Sequence, residues 1–306
     1  MESYQNILVV IDPTADEQKA LARACILAQS TGAKITAHLT IYDFSYEMTT
    51  MLSGEEREAM RQTVINDREL WLKDLVAAFN QDISVKVEWH NRPFESILNA
   101  VKDFHYDIII KSTHEHPTLQ SVIFTPTDWH LIRKSWVPLL LVKDHQWPEG
   151  GHILAAINAG SEEAEHQSLN DKISEEAFKF SRLVNADVNF VNSYPGTPIN
   201  IAIEIPEFDA NEYNDAMKQH HLDVMKKHAD KYGIEDKYLH VREGLPEDVI
   251  EAVAEEIDAE LVILGTVGRT GLSAVLIGNT AEHVIDRLNC DLLALKPVGY
   301  ESPFLK

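Results

Sequence analysis

Residues 107–116 read DIIIKSTHEH and residues 260–269 read ELVILGTVGR, and these two stretches decide the fold. Each opens on an acid, runs through an aliphatic stretch with no polar alternation, and breaks into small or polar residues. A strand buried on both faces reads this way. The stretches stand 153 positions apart. The same offset pairs Ala33 with Ala186, Pro93 with Pro246, Ile97 with Ile250, Ile110 with Ile263, Leu119 with Leu272 and Val122 with Val275. It also pairs Thr127 with Thr280, His130 with His283, Leu139 and Leu140 with Leu292 and Leu293, and Lys143 with Lys296. Near the start, Asp12 aligns with Asn158 at an offset of 146, so the extra residues of the second copy fall in the polar stretch GSEEAEHQSLND. A surface loop tolerates such an insertion. The chain is therefore an internal repeat, with a boundary in the turn-rich stretch KDHQWPEGG, 143–151, and expected domains at 1–146 and 147–306.

Around each buried run, strands and helices alternate. In the first half ILVVI (7–11) reads as a strand, residues 16–32 as a helix closed by Gly32, and KITAHLTIY as a second strand. A long helix follows Ser53, with acids in its first turn. Its Met60, Val64, Trp71, Leu75 and Phe79 recur at the spacing of a core face. ISVKVEW, a helix opened by Pro93, DIIIK, a helix through DWHLIRK, and PLLLVK complete the half. The second half repeats the plan from HILAAIN to DLLALK. The β-α-β-α-β-α-β-α-β order, with right-handed crossovers, predicts an α/β fold of two doubly wound parallel sheets. Ligands in such sheets bind beyond the carboxyl ends of the strands, at the topological switch point.

Composition narrows the function. The 306 residues carry a net charge of −22, which excludes a polyanion binder, whether of nucleic acid or of an anionic membrane surface. A small nucleotide needs only local donors and is not excluded. The two cysteines, Cys25 and Cys290, have no metal or redox spacing and read as buried thiols. The opening MESYQNILVVID has no basic run or cleavable apolar segment, and no stretch approaches the roughly 20 apolar residues of a membrane span. A cytoplasmic protein is expected.

After ELVIL come Gly265, Thr266, Val267, Gly268 and Arg269, then Gly278, Asn279 and Thr280 at an expected helix start. Glycines after a buried strand let backbone N–H groups approach an anion, and a helix N-terminus adds unsatisfied donors and a positive dipole end. The threonine hydroxyls add further donors. Neither a P-loop nor a dinucleotide G-x-G-x-x-G is present. The element order, the spacing G-x2-G-x9-G and the trailing AEHVI resemble the universal stress protein family, over essentially the whole chain and twice. The resemblance implies tandem Rossmann-like domains, of the adenine nucleotide alpha hydrolase-like kind, each a five-stranded sheet. It also implies that the halves pair as an intramolecular pseudo-dimer, alone or in a higher homo-oligomer. It implies ATP or another adenine nucleotide, with or without Mg²⁺, held in the second half by Asn158, Ser193 and the glycine-loop residues 265–269 and 278–280. The family's Asp and Ser/Thr positions are here Asn158 and Asn279. In the first half Ser112, Glu115 and Thr125 stand in the glycine places, which closes that half to nucleotide.

Other features carry less. His114 and His116, with Asp128 and His130 nearby in sequence, suit zinc chemically, but two histidines at i, i+2 in a loop are usually solvated, so no metal is expected. His220 and His221 read as surface residues. Residues 194–208, YPGTPINIAIEIPEF, place Ile at alternate positions and suit a lid, or a groove for an apolar ligand or protein partner. No catalytic constellation is identifiable. The expected function is a stress-response protein that senses a ligand or a partner. The alternatives are a slow ATP hydrolase and a nucleotide-independent scaffold or apolar-ligand binder.

Overall fold

A computed structural model describes residues 3–48, 51–115, 122–123, 125–197, 209–266, 284–285 and 287–305. The chain divides into two compact units, one of Glu2–Lys143 with Ser302–Lys306, the other of Asp144–Glu301. The break falls at the start of the expected boundary stretch. The final residues, assigned by sequence order to the second half, cluster with the first, where Ser302 is fully buried and its hydroxyl donates to Lys134 O.

In the first unit the strands are β1 (Asn6–Val10), β2 (Lys34–Ile41), β3 (Ile83–Trp89), β4 (Ile108–Ser112) and, after a two-residue antiparallel ladder of β5 (His114–Glu115) with β6 (Val122–Ile123), β7 (Leu139–Val142). They form a parallel sheet in the order β7-β4-β1-β2-β3. The second unit has β8 (His152–Ala156), β9 (Asp187–Tyr194), β10 (Leu239–Glu243), β11 (Ala259–Gly265) and β12 (Asp291–Leu295), parallel in the order β10-β9-β8-β11-β12. In each sheet the chain winds one way from its first strand and then the other. The switch point lies between β1 and β4 and, in the second unit, between β8 and β11. The central strands are buried along their length, and Ile7, Leu8, Ile108, Ile109, Leu154 and Val262 are all inaccessible. Their aliphatic runs fit a sheet covered on both faces.

The helices begin and end on local chemistry. The first unit has α1 (Lys19–Thr31), α2 (Gly54–Val76), α3 (Pro93–Phe104) and α4 (Pro126–Lys134); the second has α5 (Ala164–Val184), α6 (Ala210–Asp230) and α7 (Pro246–Glu256). Ser53 and Glu56 form a capping box on α2. Pro93, Pro126 and Pro246 open their helices, where a missing N–H costs nothing. The repeat extends to backbone conformation. His105 and Asp258 stand 153 apart and share a left-handed φ, 55° and 50°, before β4 and β11. α2 departs from its expected core face. Only Leu72 and Val76 are buried, Met60 is exposed, and Phe79 lies past the helix end. The helix covers β3, the edge strand, so only its last turns meet the core.

A carboxylate ties the amino ends of the central strands together in both units. Asp107 accepts from Gln5 N (2.6 Å) and Asn6 N (3.2 Å), and Glu260 accepts from His152 N. Asp107→Asn weakens charge-assisted bonds and is expected to lower unfolding free energy by about 1 kcal/mol. Urea titration checks this, and an unchanged midpoint would refute the role.

Candidate functional site

At the switch point of the second unit, the carboxyl ends of β9, β8 and β11 lie side by side, and they carry Ser193, Asn158 and Gly265. Three of the sequence-predicted site residues are thus brought to one rim. The loop after β8 is fixed by side chains that sequence reading passed over. Asn170, buried on α5, accepts from Asn158 N and donates back to Asn158 O, both at 3.0 Å. This leaves the Asn158 side chain exposed at the rim. Asn192 of β9 accepts from Ala159 N at 3.0 Å, and its amide nitrogen lies 3.0 Å from His221 Nδ1. His221 stacks on Tyr194 with ring centroids 5.5 Å apart, and any Cβ on Gly160 would collide with it. His220 is exposed as expected, but His221 is a buried prop of the rim. Burial, aided by the charge of His220, pushes its pKa down. The signal was available in principle: polar residues at inward positions of a strand and a helix need partners.

Gly265 ends β11 so close to α5 that an added Cβ would run into Leu169. Thr266 is buried and turned into the sheet. Its N–H (2.9 Å) and hydroxyl (3.2 Å) both donate to Leu295 O, so that hydroxyl is committed to the end of β12. Lys296, 6% exposed, donates from Nζ to Thr266 O at 2.9 Å and lies over the Tyr300 ring at 5.0 Å. Lys172 of α5 donates to Lys296 O at 2.8 Å. Burial pushes Lys296 down to about 8 and lowers Lys172.

The first unit has filled the same places with its own groups. Ser112, at the position of Gly265, accepts from Ala20 N of α1 at 3.0 Å. Thr125, at the position of Gly278, caps α4 in a box with Asp128, which accepts from Thr125 N (2.7 Å) and Oγ1 (2.8 Å). Asp128 is fully buried and pairs with Lys111 Nζ at 2.8 Å. A carboxylate of the chain thus occupies this helix N-terminus, with a lysine as counter-charge. Leu264 and Ala281 replace the pair in the second half. Gln18 brackets Asp12 as Asn170 brackets Asn158, with Nε2 on Asp12 O at 2.7 Å, while Thr14 takes the Asp12 carboxylate at 2.6 and 2.9 Å.

The universal stress protein family model matches residues 3–143 and again 152–296. The chain is 53% identical to Universal stress protein E of Salmonella typhi over 99% of its own length and 98% of the relative's. It is 47% identical to the protein of that name from Photorhabdus laumondii, over 99% and 98%. The chain belongs to the universal stress protein family. It is similar to a crystal structure from Pseudomonas aeruginosa described as a universal stress protein, at TM-score 0.73 and 30% identity over 97% of this chain and 94% of that one. One from Archaeoglobus fulgidus, at TM-score 0.65 and 16% identity over 95% and 98%, shares the fold. Two tandem universal stress domains with Rossmann-like parallel sheets make up the chain.

Within this universal stress protein, Val267, Gly268, Arg269, Gly278, Asn279, Thr280 and His116 lie outside the described residues, as do positions 198–208 of the Ile-rich segment. Thr197, just before it, is tied to Asn214 of α6 by its N–H and hydroxyl, at 3.0 and 2.7 Å. The backbone of His114 pairs with Ile123 in the small ladder. Among the described residues no three His, Cys, Asp or Glu side chains gather as a metal group. The fold does assemble two Ser–His–acid groupings. Ser96 Oγ lies 2.9 Å from His38 Nε2 and donates to Glu88 at 2.6 Å; Ser174 Oγ lies 2.8 Å from His228 Nε2, with Asp171 3.8 Å from Nδ1. Both serines are fully buried, and Ser174 donates to Asn170 O. Burial, with Lys86 nearby, holds His38 at about 3. Neither group offers a nucleophile to a substrate.

Lys111→Met leaves Asp128 buried without its partner and is expected to cost about 3 kcal/mol or more, whereas the pair K111L/D128A, copying the second half, is expected to cost only about 1 kcal/mol, the loss of the α4 capping box. Denaturant melts of the three proteins decide this, and equal losses in both variants would refute it. Lys296 holds a proton less firmly in the folded chain, about 8 against 10.5. The unfolded chain therefore binds more protons between those values, and stability rises with pH across that window, by up to about 1.4 kcal/mol per pH unit. Relative to Lys296→Met, the wild type should gain stability from about pH 8 to about pH 10. A constant difference would refute the assignment.

Proposed function

We propose that this universal stress protein is a cytoplasmic stress-response protein that senses an adenine nucleotide through its second domain, while its first domain serves without one. The observation that carries this reading is the contrast between the two switch points. In the first domain the positions equivalent to the glycines bear Ser112 and Thr125, and Asp128 sits on the α4 N-terminus. With Lys111 as its counter-ion, this carboxylate already takes the helix N-terminus that a phosphate would use. In the second domain Asn158, Ser193 and Gly265 stand together at the rim, and the sequence continues into Gly268 and Gly278 with no acid at the Asp128 position.

Each residue has a defined part. The exposed Asn158 amide, steadied through its backbone by Asn170, offers both a donor and an acceptor to a base or ribose. Ser193 adds a hydroxyl from the neighbouring strand. The glycines at 265, 268 and 278, with Thr280 and the helix that the sequence pattern predicts beside it, offer N–H donors to the phosphates, and Arg269 offers a cation. Mg²⁺ accompanies the phosphates rather than a protein site, as is usual for a hard cation with nucleotide. Binding of this kind transmits occupancy rather than chemistry, which agrees with the buried state of both Ser–His groupings.

The test is isothermal titration of the ligand-stripped full chain with ATP and Mg²⁺, beside Gly268→Asp. One site per chain, with affinity reduced at least about a hundredfold by an acid placed against the phosphates, is the expected result. Absence of ATP binding by the wild type would overturn the reading and turn attention to an apolar ligand or partner at residues 194–208.

A further inference from the structure

The hydrogen bonds behind the rim of the second domain fix one another's directions. Ala159 N–H can only donate, so Asn192 Oδ1 is its acceptor, at 3.0 Å. That orientation turns the Asn192 NH2 group to His221 Nδ1, also at 3.0 Å. An NH2 group can only donate, so Nδ1 is an acceptor and His221 carries its hydrogen on Nε2. Both side chains are buried, Asn192 at 3% and His221 at 8% exposed, and the imidazole is held between Tyr194 and Gly160. A proton on Nδ1 makes that atom a donor, and a donor then faces a donor. If Asn192 turns its amide over to accept from His221, its NH2 group meets Ala159 N–H and the same conflict reappears there. Either way the bond to Ala159 is lost.

The charges around His221 are few. On α6, His220 lies edge-on to it with ring centroids 5.6 Å apart and opposes its protonation. Glu243 at the end of β10 and Asp215 on α6 act on the Tyr194 phenol instead. On α5, His166 meets Ser161 Oγ at 2.7 Å, with Glu163 3.7 Å from its Nδ1. The fold itself requires none of this chain. In the first domain the buried Leu39 stands at the place of Asn192 and the exposed Arg68 at that of His221. The other buried histidine of the second domain is wired differently. Ser174 Oγ donates to Asn170 O, so it accepts from His228 Nε2, and a proton arriving at His228 Nδ1, which faces Asp171 and has Lys231 nearby, leaves that bond in place.

We infer that His221 is an acid-operated latch on the loop after β8: while Nδ1 carries no proton the loop is held through Asn192, and proton uptake there releases Ala159. Asn170 keeps its two bonds to Asn158, so the release begins one residue beyond it. Burial and the His220 charge push His221 below the ordinary histidine value, so the latch is closed at neutral pH and opens in acid, below about pH 6.5. The inference rests on the nucleotide reading only for what the rim beside this loop holds.

The experiment is NMR of the full chain across the acid range, following the His221 ring protons and the exchange protection of the Ala159 amide, in wild type, His221→Asn and His220→Ala. Protection of Ala159 is expected to fall about tenfold as His221 takes its proton. In His221→Asn an amide oxygen stands in for Nδ1 as an acceptor that does not titrate, and protection is expected to stay level. His220 is exposed, so His220→Ala keeps the fold if His221→Asn does not, and loss of its charge is expected to move the opening to higher pH. Level protection of Ala159 through the titration of His221 in wild type would overturn the latch. So would an equal loss in His221→Asn, which would assign the opening to another group such as His166. Titration with ATP and Mg²⁺ at about pH 7.5 and about pH 5.5, either side of the ordinary histidine value, separates the two readings. Affinity that falls in acid in wild type more than in His221→Asn would support the latch as a regulator of the site. Absence of ATP binding at both would overturn the nucleotide reading, and the Ala159 result would still decide the latch.

Discussion

Everything in each domain follows from strands that run parallel and are buried on both faces. Such strands cannot turn straight back, so each connection is a crossover, and each crossover is right-handed. A chain that starts in the middle of its sheet must then wind outward on one side and return to wind on the other. The loops that diverge at that reversal leave a gap at the carboxyl ends of two adjacent strands, β1 and β4 or β8 and β11. Backbone donors at strand ends and helix starts collect there without partners. The switch point is a place of unsatisfied polarity that the protein must fill from within or leave to a ligand.

The two domains have met that demand differently. The first fills its gap with its own side chains: a serine hydroxyl on the start of α1, a threonine cap on α4, and a buried Lys111–Asp128 pair. The second carries glycine where the serine and threonine would be, and leucine and alanine where the pair would be. Both remain the same fold because none of these exchanges touches the aliphatic strands. The buried pair and the glycines stand at matched places of one repeat, beside the same switch point.

Some groups gained their meaning only on folding. His221 and Asn192 lie 29 positions apart, and in sequence His221 is one of a pair of histidines on a polar helix. Their contact depends on how α6 lies over β9, which local periodicity does not encode. Lys296 reads in sequence as the matched end of a repeated strand. Its burial is a property of three elements at once. The helix α2 shows the reverse failure: its apolar spacing suggested a continuous core face, but an edge strand offers only a short surface to cover.

The sequence by itself determined the repeat, the order of strands and helices, the parallel sheets and the family, because these rest on hydrophobic runs and on spacings that survive divergence. It also located the rim, since Asn158 and Gly265 follow strands whose order the crossover rule dictates. The tertiary structure alone decided which side chains hold that rim, that the Thr266 hydroxyl is spent on the sheet, that Asp128 and Lys111 pair in the first domain, and that the last residues join the first unit. The physical reason is range. Burial patterns are written in neighbouring residues, whereas hydrogen-bond and charge partners are chosen among groups far apart in the chain, at distances that only the packed fold sets.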